Sequence, residues 1–325
     1  MRKRTVLKLA VVLALAVMVA FAAAGCAEKE DGSGDGATTE KVKVGLVQIN
    51  QQAIFFNQMN EGAQEAADAE GVELTIFNAN DDAAKQNEGI ANFVTQGFDA
   101  IIVVAIDVEG VKPAIREAKD AGVKIVCVDA IVEDDAVDSQ VGVDNAAAGA
   151  KMGEFVVDYI AKNNLTNKNI GVLGALNSFI QNLRKDAFVE VVEKAGATIT
   201  QTVDGQNRQE AAMTASENLF TAQTDTFLMY ATGEPQMVGA VAAVRSQNKG
   251  TTVKLFGWDL TAEVIQGIDD GFVMGVVQQD PKTEGIEAVK ACKTLVEGGT
   301  VSSFIDVPIE IVTKDNVEPY RAIFQ

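Results

Sequence analysis

The residues best able to recognise a ligand are polar and aromatic side chains that follow predicted β-strands. In a parallel α/β fold, ligands bind beyond the carboxyl ends of the strands. Aromatic rings can cover the apolar faces of a hydroxyl-rich molecule, while amides, carboxylates and an arginine hydrogen-bond its hydroxyls. These strand ends hold Gln48–Phe56, Asp107, Asp129, Asn177–Arg184, Asp204–Arg208, Thr232–Glu234, Asp259 and Gln278–Asp280.

The residues for common catalytic chemistry are missing. The 325-residue chain has no histidine, which removes the commonest general base and metal ligand and the usual triads. Gly45 is a single glycine in the first strand, and Gln48–Ala53 follow in place of the glycines that a dinucleotide fingerprint needs. There is no Walker loop, Gly-x-Ser-x-Gly elbow, Cys-x-x-Cys pair or EF-hand spacing. We therefore expect no enzyme activity, no cofactor and no metal.

The charge of the chain limits its partners. The formal net charge is −19, and loss of the four basic residues near the N-terminus takes it to −23. A surface this acidic repels phosphate backbones and anionic lipid headgroups. We expect neither nucleic acid binding nor peripheral docking on a membrane.

The first forty residues predict export and a lipid anchor. Met1–Lys8 is basic, and the apolar run Leu9–Ala24 is too short for a membrane span, which predicts a signal peptide over residues 1–25. Ala23-Ala24-Gly25-Cys26 resembles the lipobox of bacterial lipoproteins, where the cysteine is lipidated. The alternative is an ordinary cleaved signal with an incidental cysteine. Residues 26–40 then form the lipidated Cys26 and a flexible, Gly-, Thr- and acid-rich tether.

From Lys41 onward, short Val/Ile-rich runs alternate with amphipathic stretches. Unalternating strands of this kind indicate parallel sheets covered on both faces, so the fold class is α/β. Among the predicted elements are a strand over Asp99–Ile106 and helices that begin near Asn57 and Asn145. Asp144 is expected to cap the last of these. About ten strands fall in two sets. The segment Lys168-Asn169-Ile170-Gly171-Val172-Leu173 is similar to Lys43-Val44-Gly45-Leu46-Val47, which indicates two similar lobes.

Five blocks in order resemble the ribose-type periplasmic (type I) solute-binding proteins. They lie within Phe55–Ala67, Val143–Ile160, Phe256–Asp259 and Gln279–Pro281, and the resemblance runs from Lys41 to the C-terminus. It implies two doubly wound Rossmann-like lobes joined by a three-segment hinge. The implied N-terminal lobe is 41–143 plus 280–309, and the C-terminal lobe is 144–279 plus 310–325.

The resemblance also implies the ligand-binding residues. One of Phe55 and Phe56 stacks on a sugar ring, and Asp129, Asp259 and Gln279 hydrogen-bond hydroxyls. The other implied contacts are Gln52, which stands beside the family's usual asparagine position, Arg184 from the second lobe, and Asn207. Structural alternatives remain open. Phe55 and Phe56 could pack in the core, and Asp129 could be a helix cap or a solvated loop acid. Arg184 could lie on the surface of a helix, and Gln279 could serve the hinge alone.

Several family contacts are replaced in this chain. Ala53 stands for an asparagine, Ala130 for an arginine and Val104 for a polar residue, while Thr232–Pro235 replaces an Asn-Asp pair. The ligand is therefore expected not to be simply ribose but a smaller or less hydroxylated molecule, or a different polyol.

The resulting hypothesis is an extracytoplasmic, lipid-anchored, monomeric binding component of an ABC importer that closes on a small sugar or polyol and delivers it to a permease. An extracellular sensor subunit, which binds a sugar-like signal or nucleoside for a receptor, is the alternative. A sugar-responsive repressor needs a basic helix-turn-helix where this chain has the signal peptide and tether. An exported enzyme is disfavoured by the missing catalytic motifs.

Overall fold

The computed structural model describes residues 41–51, 53–222 and 228–324. The predicted signal peptide, Cys26 and its tether lie outside the described residues, as does Gln52. Within the part of the chain that is described, no helix is both long and apolar enough to cross a membrane.

Two six-stranded sheets organise the described residues. The first has the order β11-β5-β4-β3-β1-β2, and all its paired strands are parallel. Its strands are β1 (Lys43–Gln48), β2 (Glu73–Asn78), β3 (Ala100–Val103), β4 (Lys124–Val128), β5 (Ser139–Gly142) and β11 (Phe304–Asp306).

The second sheet has the order β12-β10-β9-β8-β6-β7. Its pairs are parallel except for β12, which runs antiparallel to β10. Its strands are β6 (Asn169–Gly174), β7 (Thr198–Asp204), β8 (Leu228–Ala231), β9 (Lys254–Trp258), β10 (Val273–Gln278) and β12 (Glu310–Val312).

Helices cover both faces of each sheet. Four clusters of buried apolar side chains, two for each sheet, fill the space between strands and helices. This burial on both faces explains why the strands read as continuous Val/Ile runs. The helices are α1 (Ile54–Glu70), α2 (Ala83–Thr95), α3 (Lys112–Asp120), α4 (Asn145–Lys162), α5 (Phe179–Lys194), α6 (Gln209–Ala222), α7 (Glu234–Ser246), α8 (Ala262–Asp269) and α9 (Pro281–Val296).

The two-lobe α/β prediction is confirmed, and some element ends differ from it. Helix α1 begins at Ile54, three residues before the predicted Asn57, so both phenylalanines lie in its first turn. The Asn50 side chain accepts a hydrogen bond from the Ala53 N–H at 3.0 Å and fixes the chain just ahead of the helix.

Strand β3 ends at Val103 rather than at Ile106. Its missing ladder bonds are replaced by the buried Gln86 amide, which donates to the Val104 carbonyl at 2.8 Å and accepts from the Ile106 N–H at 2.9 Å. A side chain on α2 thus ends the strand by satisfying its backbone.

The chain changes sheet three times. It leaves the first sheet after Gly142, and from β10 it passes into α9, which packs on α1 and on β4 of the first sheet. Between β11 and β12 it passes from the first sheet to the second for the last time. Asp144 caps α4 by accepting from the Ala147 N–H at 2.9 Å, as predicted. The exact lobe boundaries stay a prediction.

Two helix pairs approach so closely that only glycine fits between them. A Cβ on Gly62 of α1 would lie 2.0 Å from the Lys282 carbonyl oxygen at the start of α9. A Cβ on Gly149 of α4 would lie 2.3 Å from the Arg184 carbonyl oxygen on α5. These contacts fix the helices that carry residues of the candidate site.

Candidate functional site

A cavity of about 580 Å³ lies beyond the carboxyl ends of strands from both sheets. The first lobe contributes the start of α1 and the residue after β4, and the second contributes the residues after β9 and β10 and the start of α7. Its polar and aromatic lining includes Phe55, Gln58, Asp129, Glu234, Asp259 and Gln279. Four of the predicted site residues are therefore brought together here.

Asp129 and Asp259 occupy corresponding positions in the two lobes. Each follows a buried strand, and each has a left-handed backbone, with φ of 64° and 60°. The Asp129 N–H donates to the Val141 carbonyl, and the Asp259 N–H donates to the Val277 carbonyl, both at 2.9 Å. The left-handed turn then takes the chain off the sheet, and aspartate is among the residues that tolerate it.

The cavity raises the pKa of its carboxyl groups. Burial raises the pKa of Asp129 to about 6; the Arg184 guanidinium opposes that shift and the Asp259 charge adds to it. Burial also raises the pKa of Asp259, against Arg184 and a hydrogen bond from Gln279. The pKa of Glu234 is raised by burial first and by Asp259 second. Loss of hydration and repulsion between neighbouring carboxylates both disfavour the charged forms of these three groups.

Gln278 and Gln279 tie the end of β10 to the loop after β9. The Gln279 side-chain amide donates to Asp259 Oδ1 at 3.0 Å. Gln278 accepts from the Leu260 N–H at 2.9 Å and donates to the Gln279 carbonyl at 3.0 Å. The Asp259 carboxylate is thereby oriented by a neighbouring amide, while its other oxygen has no hydrogen bond within the described residues.

Arg184 lies beside the cavity carboxylates but is not part of the lining. Its guanidinium carbon sits 3.5 Å from the centroid of the Trp258 ring. It donates to Asn145 Oδ1 at 2.7 Å and to the Thr232 carbonyl at 3.2 Å. Burial lowers the Arg184 pKa, which the charges of Asp259 and Asp129 oppose. These two bonds use two of the five N–H donors of the guanidinium. A contact between a remaining donor and a ligand stays a prediction.

The two phenylalanines play different parts. Phe55 lines the cavity, whereas Phe56 does not. Their rings meet edge to face, with centroids 5.4 Å apart, and both pack against the core of the first lobe. Phe55 is thus the ring that faces ligand space, and Phe56 supports it from the side.

Asn207 belongs to a hydrogen-bonded group away from the cavity lining. Its Oδ1 accepts from the Gln181 amide at 2.8 Å, and Gln181 Oε1 accepts from the Thr232 hydroxyl at 2.6 Å. Its backbone is left-handed, with φ of 53°. A ligand contact from Asn207 stays a prediction, as does one from Gln52, which lies outside the described residues.

Sequence reasoning missed the residues that reach the cavity from helices and from the C-terminus. Gln58 lies one turn into α1, and Phe324 comes from the end of the chain. Glu234 stands at the start of α7, just after β8; it was among the strand-end residues of the sequence but had no predicted role. Neither Gln58 nor Phe324 directly follows a strand, so no pattern in the sequence indicated that they line the cavity.

Glu284 on α9 is a further acid near the site. It is fully buried, and neither carboxylate oxygen has a hydrogen-bond partner. Burial raises its pKa well above the ordinary value, and the charges of Asp129, Asp280 and Asp259 raise it further. The effect of the two cavity aspartates on its pKa puts Glu284 within electrostatic reach of the site. Across the described residues, no group of three acids or cysteines could hold a metal ion.

Residues 44–300 match the family model described as a periplasmic binding protein domain. The match covers well over half of the 325-residue chain. The protein therefore belongs to this family, which confirms the resemblance to ribose-type solute-binding proteins. The two six-stranded sheets flanked by helices agree with that fold.

Individual relatives are similar over most of their length. The ABC transporter periplasmic-binding protein YphF of Escherichia coli (strain K12) is 26% identical over 86% of this chain and 88% of its own. The ribose import binding protein RbsB of Bacillus subtilis (strain 168) is also 26% identical, over 80% of this chain and 83% of its own. A solved ABC transporter solute binding protein from Mycobacterium smegmatis, with bound glycerol, is 29% identical with a TM-score of 0.71, covering 86% and 96%.

Proposed function

We propose that the protein is the extracytoplasmic binding component of an ABC importer and that it takes up a small sugar or polyol. The observation that carries this proposal is one cavity that joins the Phe55 ring to the carboxylates of Asp129 and Asp259 from opposite lobes. The relatives named above support it, since they include a ribose import protein and a solute-binding protein with glycerol bound.

The cavity suits a small hydroxylated molecule. Its volume, about 580 Å³, falls in the range of small-molecule sites. The Phe55 ring can cover a face of C–H groups, and Asp129, Asp259 and Gln279 offer carboxylate and amide atoms to hydroxyls. Arg184, Asn207 and Gln52 are proposed as further contacts.

The proposed mechanism is closure of the two lobes on the ligand. Asp129 and Asp259 belong to different sheets, so a molecule bound to both bridges the lobes. Such a ligand favours the closed state by the contacts that only this state provides. The proposed hinge follows the three changes of sheet, and the proposed lobes are 41–143 plus 280–309 and 144–279 plus 310–325.

The role proposed here involves no reaction, and the ligand leaves unchanged. A permease would recognise the closed form, the chain would act as a monomer, and Cys26 would anchor it outside the cell through lipid. The named relatives favour transport over the alternative of a sensor subunit.

Thermal unfolding of the full-length chain with a panel of pentoses, hexoses, small polyols and nucleosides tests the proposal. A ligand at about a thousand times its Kd adds roughly 4 kcal/mol of stability. We expect a shift with one sugar or polyol class, which Asp259→Asn removes. Asp120→Asn, an exposed acid at the end of α3, is the matched control. No shift with any carbohydrate or polyol would refute the proposed ligand class.

A further inference from the structure

The cavity carries uncompensated negative charge. Its lining includes the carboxyl groups of Asp129, Glu234 and Asp259, and no lysine or arginine occurs among the described lining residues. Asp129 accepts no hydrogen bond through its side chain within the described chain, and Glu234 has only a 3.5 Å contact with Gln209. A neutral polyol offers hydroxyls to these groups but does not balance their charge.

Arg184, the cation whose charge acts on both cavity aspartates, already has partners of its own. The Arg184 guanidinium stacks on Trp258 and donates to Asn145 and to the Thr232 carbonyl. Its single charge offsets at most one of the three lining carboxylates. The site therefore keeps a net negative charge even with Arg184 counted.

Glu284 provides an independent observation beside the cavity. Its side chain is fully buried, both of its oxygens lack a partner, and the charges of Asp129 and Asp259 raise its pKa beyond the effect of burial. An unpaired buried acid is costly, and the charges of the two cavity aspartates add to that cost. All three groups would be stabilised by one positive charge bound in the cavity.

We infer that the ligand carries a cationic amino group, as an amino sugar or an amino polyol does, and that Asp129 and Asp259 accept its N–H donors. This inference rests on the proposed function and narrows its ligand class. Gln279 and Glu234 would hydrogen-bond the hydroxyl groups of the ligand, and the Phe55 ring would pack against its carbon skeleton. Charge-assisted hydrogen bonds to both lobes would also strengthen lobe closure.

The competing arrangement is a protonated carboxyl that donates to a neutral polyol, and the two respond oppositely to pH. With the pKa of Asp129 at about 6, its ionised fraction falls about tenfold between about pH 7 and pH 5. Affinity for an amine should fall by that factor, whereas affinity for a neutral polyol held by the protonated acid should rise. The charged groups that act on Asp129 are Arg184 and Asp259. Among its acidic neighbours, Glu234 is acted on by Asp259 and Glu263, and Glu284 by Asp129, Asp280 and Asp259.

Calorimetric titration of the full-length chain with matched pairs tests the inference. The pairs are glycerol and serinol, D-glucitol and D-glucamine, and D-glucose and D-glucosamine, with N-acetyl-D-glucosamine as a charge-free control. At about pH 7 we expect one amine to bind at least about tenfold more tightly than its neutral partner. Asp129→Asn should remove that preference, since asparagine also tolerates the left-handed backbone, while Asp120→Asn should retain it.

The outcomes separate this inference from the proposed function. A preference for an amine that weakens toward pH 5 supports both. Equal or tighter binding of a neutral partner, or affinity that rises toward pH 5, overturns the amine and leaves the sugar or polyol function intact. If no member of any pair binds, both are overturned for this class of compounds.

Discussion

Replacing Arg184 with methionine separates a structural role from a ligand contact. The guanidinium fills a buried site between the Trp258 ring, Asn145 and the Thr232 carbonyl. Methionine keeps most of the volume and removes the charge and both hydrogen bonds. We therefore expect a folded variant that is less stable and that also binds ligand more weakly.

The magnitude follows from these contacts. Each hydrogen bond from a charged donor contributes about 1.5–3 kcal/mol, and a desolvated cation–π contact about 2 kcal/mol. Relief of the guanidinium's burial cost, several kcal/mol, offsets much of that sum. We expect a net loss of about 3 kcal/mol, which lowers Tm by roughly 5 °C in a protein of this size.

Urea unfolding and thermal melting of the ligand-free protein measure this loss. Arg184→Lys is the second variant: it retains the charge but not the planar stacking or the bond to Asn145, so it should be destabilised by less. If Arg184→Met melts with the wild type and only ligand affinity falls, Arg184 is a ligand contact rather than a structural anchor, and the reasoning above is wrong.

Two further substitutions test the packing around the site. Glu284→Met should stabilise the protein by about 1–3 kcal/mol at pH 7, because it removes a buried acid that has no hydrogen-bond partner. Since the folded state raises the pKa of this carboxyl, wild-type stability falls as the pH rises above the group's ordinary pKa, and the gain should shrink toward pH 4.5. Urea titrations at both pH values measure it, and a loss at pH 7 contradicts it. Gly62→Ala should cost about 3 kcal/mol, because its Cβ meets the Lys282 carbonyl at 2.0 Å. Gly142→Ala is the control, because a Cβ at Gly142 would lie 3.5 Å from its nearest neighbour, the Asp129 backbone. It should change stability by under about 0.5 kcal/mol. Equal melting temperatures for the two variants would contradict the close helix contact.

The fold was predictable because its signals are local. Helix α4 begins at Asn145, as predicted, because apolar periodicity and a capping residue are encoded in neighbouring residues of the chain. The end of β3 was not predictable, because it depends on Gln86, a side chain from another element. Strand β12 is three residues long and antiparallel to its neighbour, so no pattern of its own marks it.

The cavity lining was predictable where a residue directly follows a strand. Asp129, Asp259 and Gln279 were found in this way, and all three line the cavity. Side-chain direction was not predictable: Phe55 and Phe56 are adjacent, yet only Phe55 faces the cavity. For the same reason the sequence could not show that Glu284, a helix residue among many acids, is buried without a partner.

The correspondence between the lobes bears on how binding and closure are linked. Asp129 and Asp259 follow β4 and β9, have nearly the same left-handed backbone and make the same bond to the neighbouring strand. Each carboxylate is therefore held rigidly by its own sheet. A ligand that hydrogen-bonds to both carboxylates must bring the two sheets to a fixed separation. Without ligand, repulsion between the two carboxylates opposes that approach. Binding and closure are then coupled through the charge of these two residues.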